Sequence, residues 1–214
     1  MAEKSGFWSG YWQSLKSLDV EEPIDVYVHR PLAYLLARAL LPTPISPNWV
    51  TLASMLVGLC SAWLIVSHAP HHFQWAALCA FLSTVFDCAD GQLARLRKTS
   101  SVFGRMLDGT ADVIVTAAIL IGGGIYSYQK YGTTLWLGVA ALLFTAVAGV
   151  ATSIQTTLFD HYKTVFMKLA VPGFKEAESY PDVRRRYEAQ TSFTPVTRLA
   201  WALYLTFIGN QSRT

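Results

Sequence analysis

Four aspartates carry the chemistry this chain could perform: Asp87, Asp90, Asp108 and Asp112. They stand where two apolar stretches meet a basic connection at residues 95–105. A charge at the centre of a membrane helix costs about 2.5–3.5 kcal/mol on insertion scales. One aspartate at a helix end sits among headgroups and needs no function, but this spacing asks for more. On a helix, Asp87, Asp90, Gly91 and Ala94 fall within a sector of about 100°. Gly104, Asp108 and Asp112 recur every four residues and share a stripe. The turn between the two stretches makes them antiparallel neighbours, so their carboxylates can face each other across one groove. Close carboxylates repel unless cations sit among them. Oxygen-only donors suit Mg²⁺ or Mn²⁺. Cys88 points away from the carboxylate face and no histidine joins, which argues against zinc. Gly91 and Ala94 remove bulk, so a flat ligand could reach the backbone; ordinary small-residue helix packing is the alternative. Arg95 could hold a phosphate as a bidentate donor or simply anchor a helix end. An acidic metal site beside an arginine reads as phosphate-ester chemistry.

The elements that must position these groups are membrane helices. The chain has 214 residues, 52% hydrophobic and 14% charged, against about 25% charged in a soluble domain. That content also excludes disorder. Cys60, Cys79 and Cys88 lie in apolar stretches and form no disulfide framework. The net charge of +3 gives no case for nucleic acid, because the basic residues gather at the ends of apolar segments. The first 30 residues lack the order of a cleaved signal peptide. Residues 31–41 are apolar but too short to cross, with Arg38 inside, and predict an amphipathic helix in the interface plane. Pro42, Pro44 and Pro47 then interrupt the chain. Residues 49–67, 73–93, 106–128 and 133–159 each approach or exceed the roughly 20 residues of a crossing. Trp49, Trp75 and Trp136 mark segment ends. Arg95, Arg97, Lys98 and Arg105 crowd one connection, and more basic residues follow the last segment. The positive-inside rule therefore puts the N-terminus, the 95–105 connection and the 160–195 region in the cytoplasm. Residues 198–208 form a short apolar run, either interfacial or the start of a further crossing.

DCADGQLARLRKTSSVFGRMLDGTAD, residues 87–112, matches D-x2-D-G-x2-A-R-x8-G-x3-D-x3-D at all eight specified positions and all gaps. In this it resembles the CDP-alcohol phosphotransferase family of membrane enzymes. ISPNWVT is similar to the family's Pro-Asn-x-x-Thr lead into its first spanning helix. The resemblance implies an all-α, polytopic membrane bundle of six transmembrane helices, a site open to the cytoplasm and a homodimer. It implies transfer of a substituted phosphate from a CDP-alcohol, such as CDP-diacylglycerol, to an acceptor alcohol with release of CMP. By match, Asp87, Asp90 and Asp108 would be the core metal ligands. Asp112 would serve a second metal and act as general base. Gly91, Ala94 and Arg95 would line the CDP pocket. The implied cofactors are two Mg²⁺ or Mn²⁺ ions per site. Four spanning helices and a partial one are legible against the family's six, so residues 1–214 read as a single integral-membrane domain, C-terminally incomplete or with unusually polar last helices. The setting would be a bacterial cell membrane or an endomembrane. The acceptor stays open among phosphorylated and unphosphorylated alcohols, although TPISPN is somewhat similar to the branch that uses inositol phosphate.

Other features carry weaker alternatives. Arg105 could bind a phosphate on donor or acceptor, or anchor a helix. Arg184, Arg185 and Arg186 could meet an acidic acceptor or anionic lipid, or form a plain positive-inside loop. His68, His71 and His72 suggest a polar turn around Pro70 more than a metal site. Gly122, Gly123 and Gly124 predict close helix approach or a bend. Ala141, Thr145, Gly149 and Ser153 form a small-residue stripe suited to a dimer face or internal packing. A divalent-cation channel or transporter is the competing function. It would need carboxylates near the midplane and a path across, yet the outer halves of these segments hold no Asp or Glu.

Overall fold

In the computed structural model, residues 7–15, 23–99, 102–132, 134–170, 184–185, 187–188 and 201 are described. The chain divides into two compact units, Met1–Val150 and Ala151–Thr214. The first begins with α1, Phe7–Ser14. A single π-type turn, Asp25–His29, runs without a break into α2, Arg30–Leu40. Pro31 sits in the first turn of α2, where a missing N–H costs least. Ala33, Tyr34 and Ala37 form the buried face of α2, while Leu32, Leu35 and Arg38 are exposed. The short amphipathic helix predicted at residues 31–41 is therefore present, one residue earlier.

Four long helices follow: α3, Pro47–Val66; α4, His72–Leu96; α5, Val102–Tyr131; and α6, Leu135–Ala170. Pro47 starts α3 behind an extended Ser46. Pro47–Val66, Phe103–Tyr131 and Leu135–Phe159 are long and apolar enough to cross a membrane. This makes the protein an all-α integral membrane protein; among the described residues three of the four segments read from sequence meet that measure, and α4 is the more polar fourth. At 25 residues, α4 has the length of a crossing, and its first half is largely apolar. Asp87, Asp90, Gln92 and Arg95 make its second half polar. Trp49, Trp75 and Trp136 are all exposed at helix starts, as expected of an aromatic belt. Of the run at residues 198–208, only Trp201 lies within the described residues.

The first unit is organised around α3, which packs extensively on both α4 and α5, while α2 lies against α4. Lipid tails are as apolar as leucine, so small residues and interhelical hydrogen bonds must supply the cohesion. The α3–α4 seam does this with serines. Ser54 Oγ donates to the Ser83 carbonyl at 3.1 Å, and Ser83 Oγ returns a bond to the Ser54 carbonyl at 2.9 Å. Ser61 Oγ donates to the Ala76 carbonyl at 2.8 Å. The α3–α5 seam uses glycines. A methyl group on Gly122 would lie 2.9 Å from the Ala62 carbonyl oxygen, and one on Gly58 would run into Val115. Gly124 faces Thr145 of α6, whereas Gly123 faces open space. Within this unit the stripe on α6 thus serves internal packing at Thr145 and at Gly149, which faces Leu120.

His72 Nδ1 lies 3.1 Å from the Leu64 carbonyl, and its ring centroid is 4.2 Å from that of Phe73. His71 takes a left-handed backbone, φ 57°. These histidines build the turn into α4. In the second unit, Arg184 Nε pairs with Glu188 Oε1 at 2.9 Å, and Arg185 is exposed. Arg186 lies outside the described residues.

Candidate active site

The second half of α4 carries Asp87 and Asp90, and the first half of α5 carries Asp108 and Asp112. Asp87, Asp90 and Asp108 each bring a carboxylate oxygen within 4.8 Å of the other two. Asp90 is the most enclosed, at 5% exposure. Its Oδ2 accepts a hydrogen bond from the Thr51 hydroxyl of α3. Asp87 Oδ1 and Asp108 Oδ1 are buried atoms with no hydrogen-bond partner among the described residues. Buried acceptors without donors are costly, and carboxylates this close cannot all hold charge unaided. A hard cation at the centre would satisfy both conditions, so the donor set fits a divalent metal.

Asp112 is not one of this trio but is the neighbour of Asp87. It is exposed, and with Asp87 it lines a cavity of about 250 Å³ together with Ser54, Ser83, Thr84 and Thr116. Asp90 and Asp108 border a different cavity, of about 400 Å³. Gly91, Ala94 and Arg95 of α4 line that cavity with Gly104, Arg105 and Gly109 of α5, and Pro47, Asn48 and Thr51 of α3 close it. Asp87, Asp90 and Asp108 thus converge, Gly91, Ala94 and Arg95 line the cavity beside Asp90 and Asp108, and Asp112 shares the smaller cavity with Asp87. Two cavities border these carboxylates, and residues of both α4 and α5 line each of them.

The two arginines of the larger cavity are held differently. Arg95 folds back along α4 over Gly91, where an added methyl group would meet Nη1 at 3.4 Å. Its Nε donates to the Ser14 carbonyl of α1 at 2.6 Å. Arg105 is exposed at the cavity wall. Cys88 packs against the apolar cluster of Ala33, Ala37, Val50, Val85, Ala89 and Leu93, away from the carboxylates as its spacing predicted.

Three contributors were not legible as site residues in the sequence. Thr51 is the donor to Asp90, and only its place in Pro-Asn-x-x-Thr pointed to it. Asn48 lines the larger cavity from the same turn. Arg97 Nη2 donates to the carbonyls of Leu40 and Thr43, at 2.6 Å each, and of Leu41 at 3.2 Å, fastening the link between α2 and α3. That link walls an apolar groove of about 560 Å³ between Leu36, Leu40, Pro44, Ile45, Trp49, Val50, Ala53 and Phe86.

The family model for CDP-alcohol phosphatidyltransferase matches residues 44–203. The chain belongs to this family. Among curated proteins it is 32% identical over 137 residues to the CDP-diacylglycerol–serine O-phosphatidyltransferase of Helicobacter pylori, covering 62% of this chain and 54% of that one. It is 31% identical over 137 residues to the CDP-diacylglycerol–glycerol-3-phosphate 3-phosphatidyltransferase of Cereibacter sphaeroides, covering 58% and 60%. The phosphatidylinositol phosphate synthase of Mycobacteroides abscessus is 29% identical over 99 residues, covering 46% and 44%. The chain thus spans about half the length of the curated relatives it matches.

Proposed function

We propose that this protein moves a phosphatidyl group from CDP-diacylglycerol to an acceptor alcohol and releases CMP, in phospholipid synthesis. The observation that carries the reading is the trio of converging aspartates, two with orphaned buried oxygens, beside a cavity that holds Arg95 and Arg105. Asp87, Asp90 and Asp108 would hold one Mg²⁺ or Mn²⁺ ion, and Asp112 would contribute to a second. Such ions polarise a pyrophosphate and offset the charge that builds on the departing CMP. Gly91 and Ala94 leave room for the nucleotide against α4, and Arg95 binds its phosphates. Asp112, in the smaller cavity, takes the proton of the acceptor hydroxyl. That oxygen bonds to the donor phosphorus as the bond to CMP breaks. Base catalysis of this kind typically contributes about 10²–10⁴-fold.

A lipid-linked donor is supported by the apolar groove beside the first turn of α3. Its lining is aliphatic and aromatic, suited to an acyl chain rather than to water. The relatives differ by name in acceptor, and the motif reads only the CDP half. Arg105 at the cavity wall favours a phosphorylated acceptor. Two further parts of the reading rest on sequence pattern: a cytoplasmic site, on the basic residues of the 95–105 connection, and a homodimer, on the family resemblance. That the whole chain acts as one catalytic domain is supported by a family match that runs through residue 150.

The test is CMP release from CDP-diacylglycerol by the purified protein, with Mg²⁺ or Mn²⁺ and a panel of inositol phosphate, glycerol 3-phosphate and serine. The expected result is metal-dependent release with one acceptor, lost in Asp112→Asn. Release that persists in excess chelator, or at the wild-type rate in the mutant, would overturn it. Arg105→Ala should raise the KM of a phosphorylated acceptor; an unchanged KM for each would refute that part alone.

A further inference from the structure

We infer that the N-terminal helix α1 is part of the donor site, acting as a positioning element that sets the guanidinium of Arg95. This rests on the proposal that Arg95 binds the donor's phosphates. The last turn of a helix leaves carbonyls without partners and carries partial negative charge. Ser14 ends α1, and its carbonyl accepts the Nε hydrogen of Arg95, 81 residues away, at 2.6 Å. A guanidinium has donors on fixed edges. Fixing the Nε edge therefore sets the direction of the opposite edge, which lies over Gly91 at the cavity floor.

The hold is firm because α1 is docked rather than draped. Ser14 is fully buried, with Tyr11 at 2% and Leu15 at 8% exposure. Tyr11 and Leu15 pack with Val26 and Tyr34 into an apolar cluster that Leu96, next to Arg95, also touches. The Tyr11 hydroxyl donates to the Val26 carbonyl, and its ring meets Tyr34 edge-on with centroids 5.7 Å apart. Gly10 lies against the Tyr34 hydroxyl, where any side chain would collide. The route from α1 to the donor is thus Tyr11 to the Ser14 carbonyl to Arg95.

The test is a double-mutant cycle on the full chain, reading kcat and the CDP-diacylglycerol KM separately. Tyr11→Ala should raise the donor KM about tenfold or more, the worth of a misplaced charged hydrogen-bond donor, with little change in kcat. In an Arg95→Ala background the same substitution should add nothing. Tyr11→Phe, which keeps the ring, should restore most of the affinity. An unchanged KM in Tyr11→Ala, or an equal further loss on top of Arg95→Ala, would overturn the inference. If Arg95→Ala itself leaves the donor KM unchanged, its premise fails instead, and the two failures are distinguishable. Hydrogen exchange supplies a readout that needs no change in α1. Adding CDP-diacylglycerol without acceptor should slow exchange in residues 7–15 of the wild type, and not in Arg95→Ala, because coupling between sites is reciprocal. Unaltered exchange in the wild type would equally overturn it.

Discussion

Thr51 donates its hydroxyl hydrogen to Asp90 Oδ2 across the α3–α4 seam, joining the first turn of one spanning helix to the most enclosed carboxylate of the site. This bond holds the Asp90 carboxylate in one orientation toward the trio. Partners of this kind typically govern about 10–100-fold in metal affinity. Thr51→Val keeps the shape and removes the donor. It should raise the Mg²⁺ or Mn²⁺ concentration needed for half-maximal CMP release by that factor, while Thr51→Ser stays near wild type. A titration showing equal metal requirements for all three proteins would refute the role.

Asp112 is exposed and lines the smaller cavity with Asp87, outside the close trio. A base at that place should matter for turnover more than for holding the donor. Asp112→Asn is expected to cut kcat by about 10²–10⁴-fold, with CDP-diacylglycerol binding retained in an equilibrium assay. Asp90→Asn removes charge from the enclosed trio and should instead weaken metal binding. If the two variants lose donor binding to the same extent, the division of labour between the cavities is wrong.

The convergence of Asp87, Asp90 and Asp108 was legible in the sequence because i,i+3 and i,i+4 spacing fixes faces of a helix. The short amphipathic helix and the close packing at Gly122 and Gly124 were legible for the same reason. That Asp112 lines a different cavity from Arg95 was not. One turn along α5 is enough to carry a carboxylate from one cavity to the next. Where that turn falls depends on how far α5 slides along α3, a register set by contacts such as Gly58 with Val115. At α4, length and polarity point in opposite directions, so the fourth crossing read from the sequence rests on its length. The roles of Ser14 and Leu40 were invisible because their acceptors are backbone carbonyls, which every residue carries.

Gly122 and Gly123 are neighbours with opposite environments. A methyl group at 122 would press on the Ala62 carbonyl at 2.9 Å, and backbone cannot step aside as a side-chain tip can. At 123 it would enter open space. Gly122→Ala should therefore destabilise the protein by about 1–3 kcal/mol. Gly123→Ala should be neutral or stabilising, by up to about 1 kcal/mol from helix propensity. Thermal unfolding in detergent reads both; equal shifts in the two variants would mean that α3 and α5 are not in close contact there.

Arg97 gathers the end of α2 and the turn after it onto the end of α4. Its guanidinium donates to the carbonyls of Leu40, Leu41, Thr43 and Ile45. Lys98 follows in a left-handed conformation, φ 55°, and ends the helix. Thr43 also bonds the Leu40 carbonyl through its N–H and hydroxyl, so truncation of Arg97 removes the bonds that tie this link to α4 and leaves its internal ones. Hydrogen bonds from a charged donor are worth about 1.5–3 kcal/mol, less where water can substitute, and Arg97→Ala should cost about 2 kcal/mol. Because the link also walls the apolar groove and precedes Pro47 and Asn48 of the larger cavity, the donor KM should rise as well. Lysine cannot reach several carbonyls from one planar group, so Arg97→Lys should recover less than half of the stability lost. Full recovery by lysine would show that only the charge at this helix end matters.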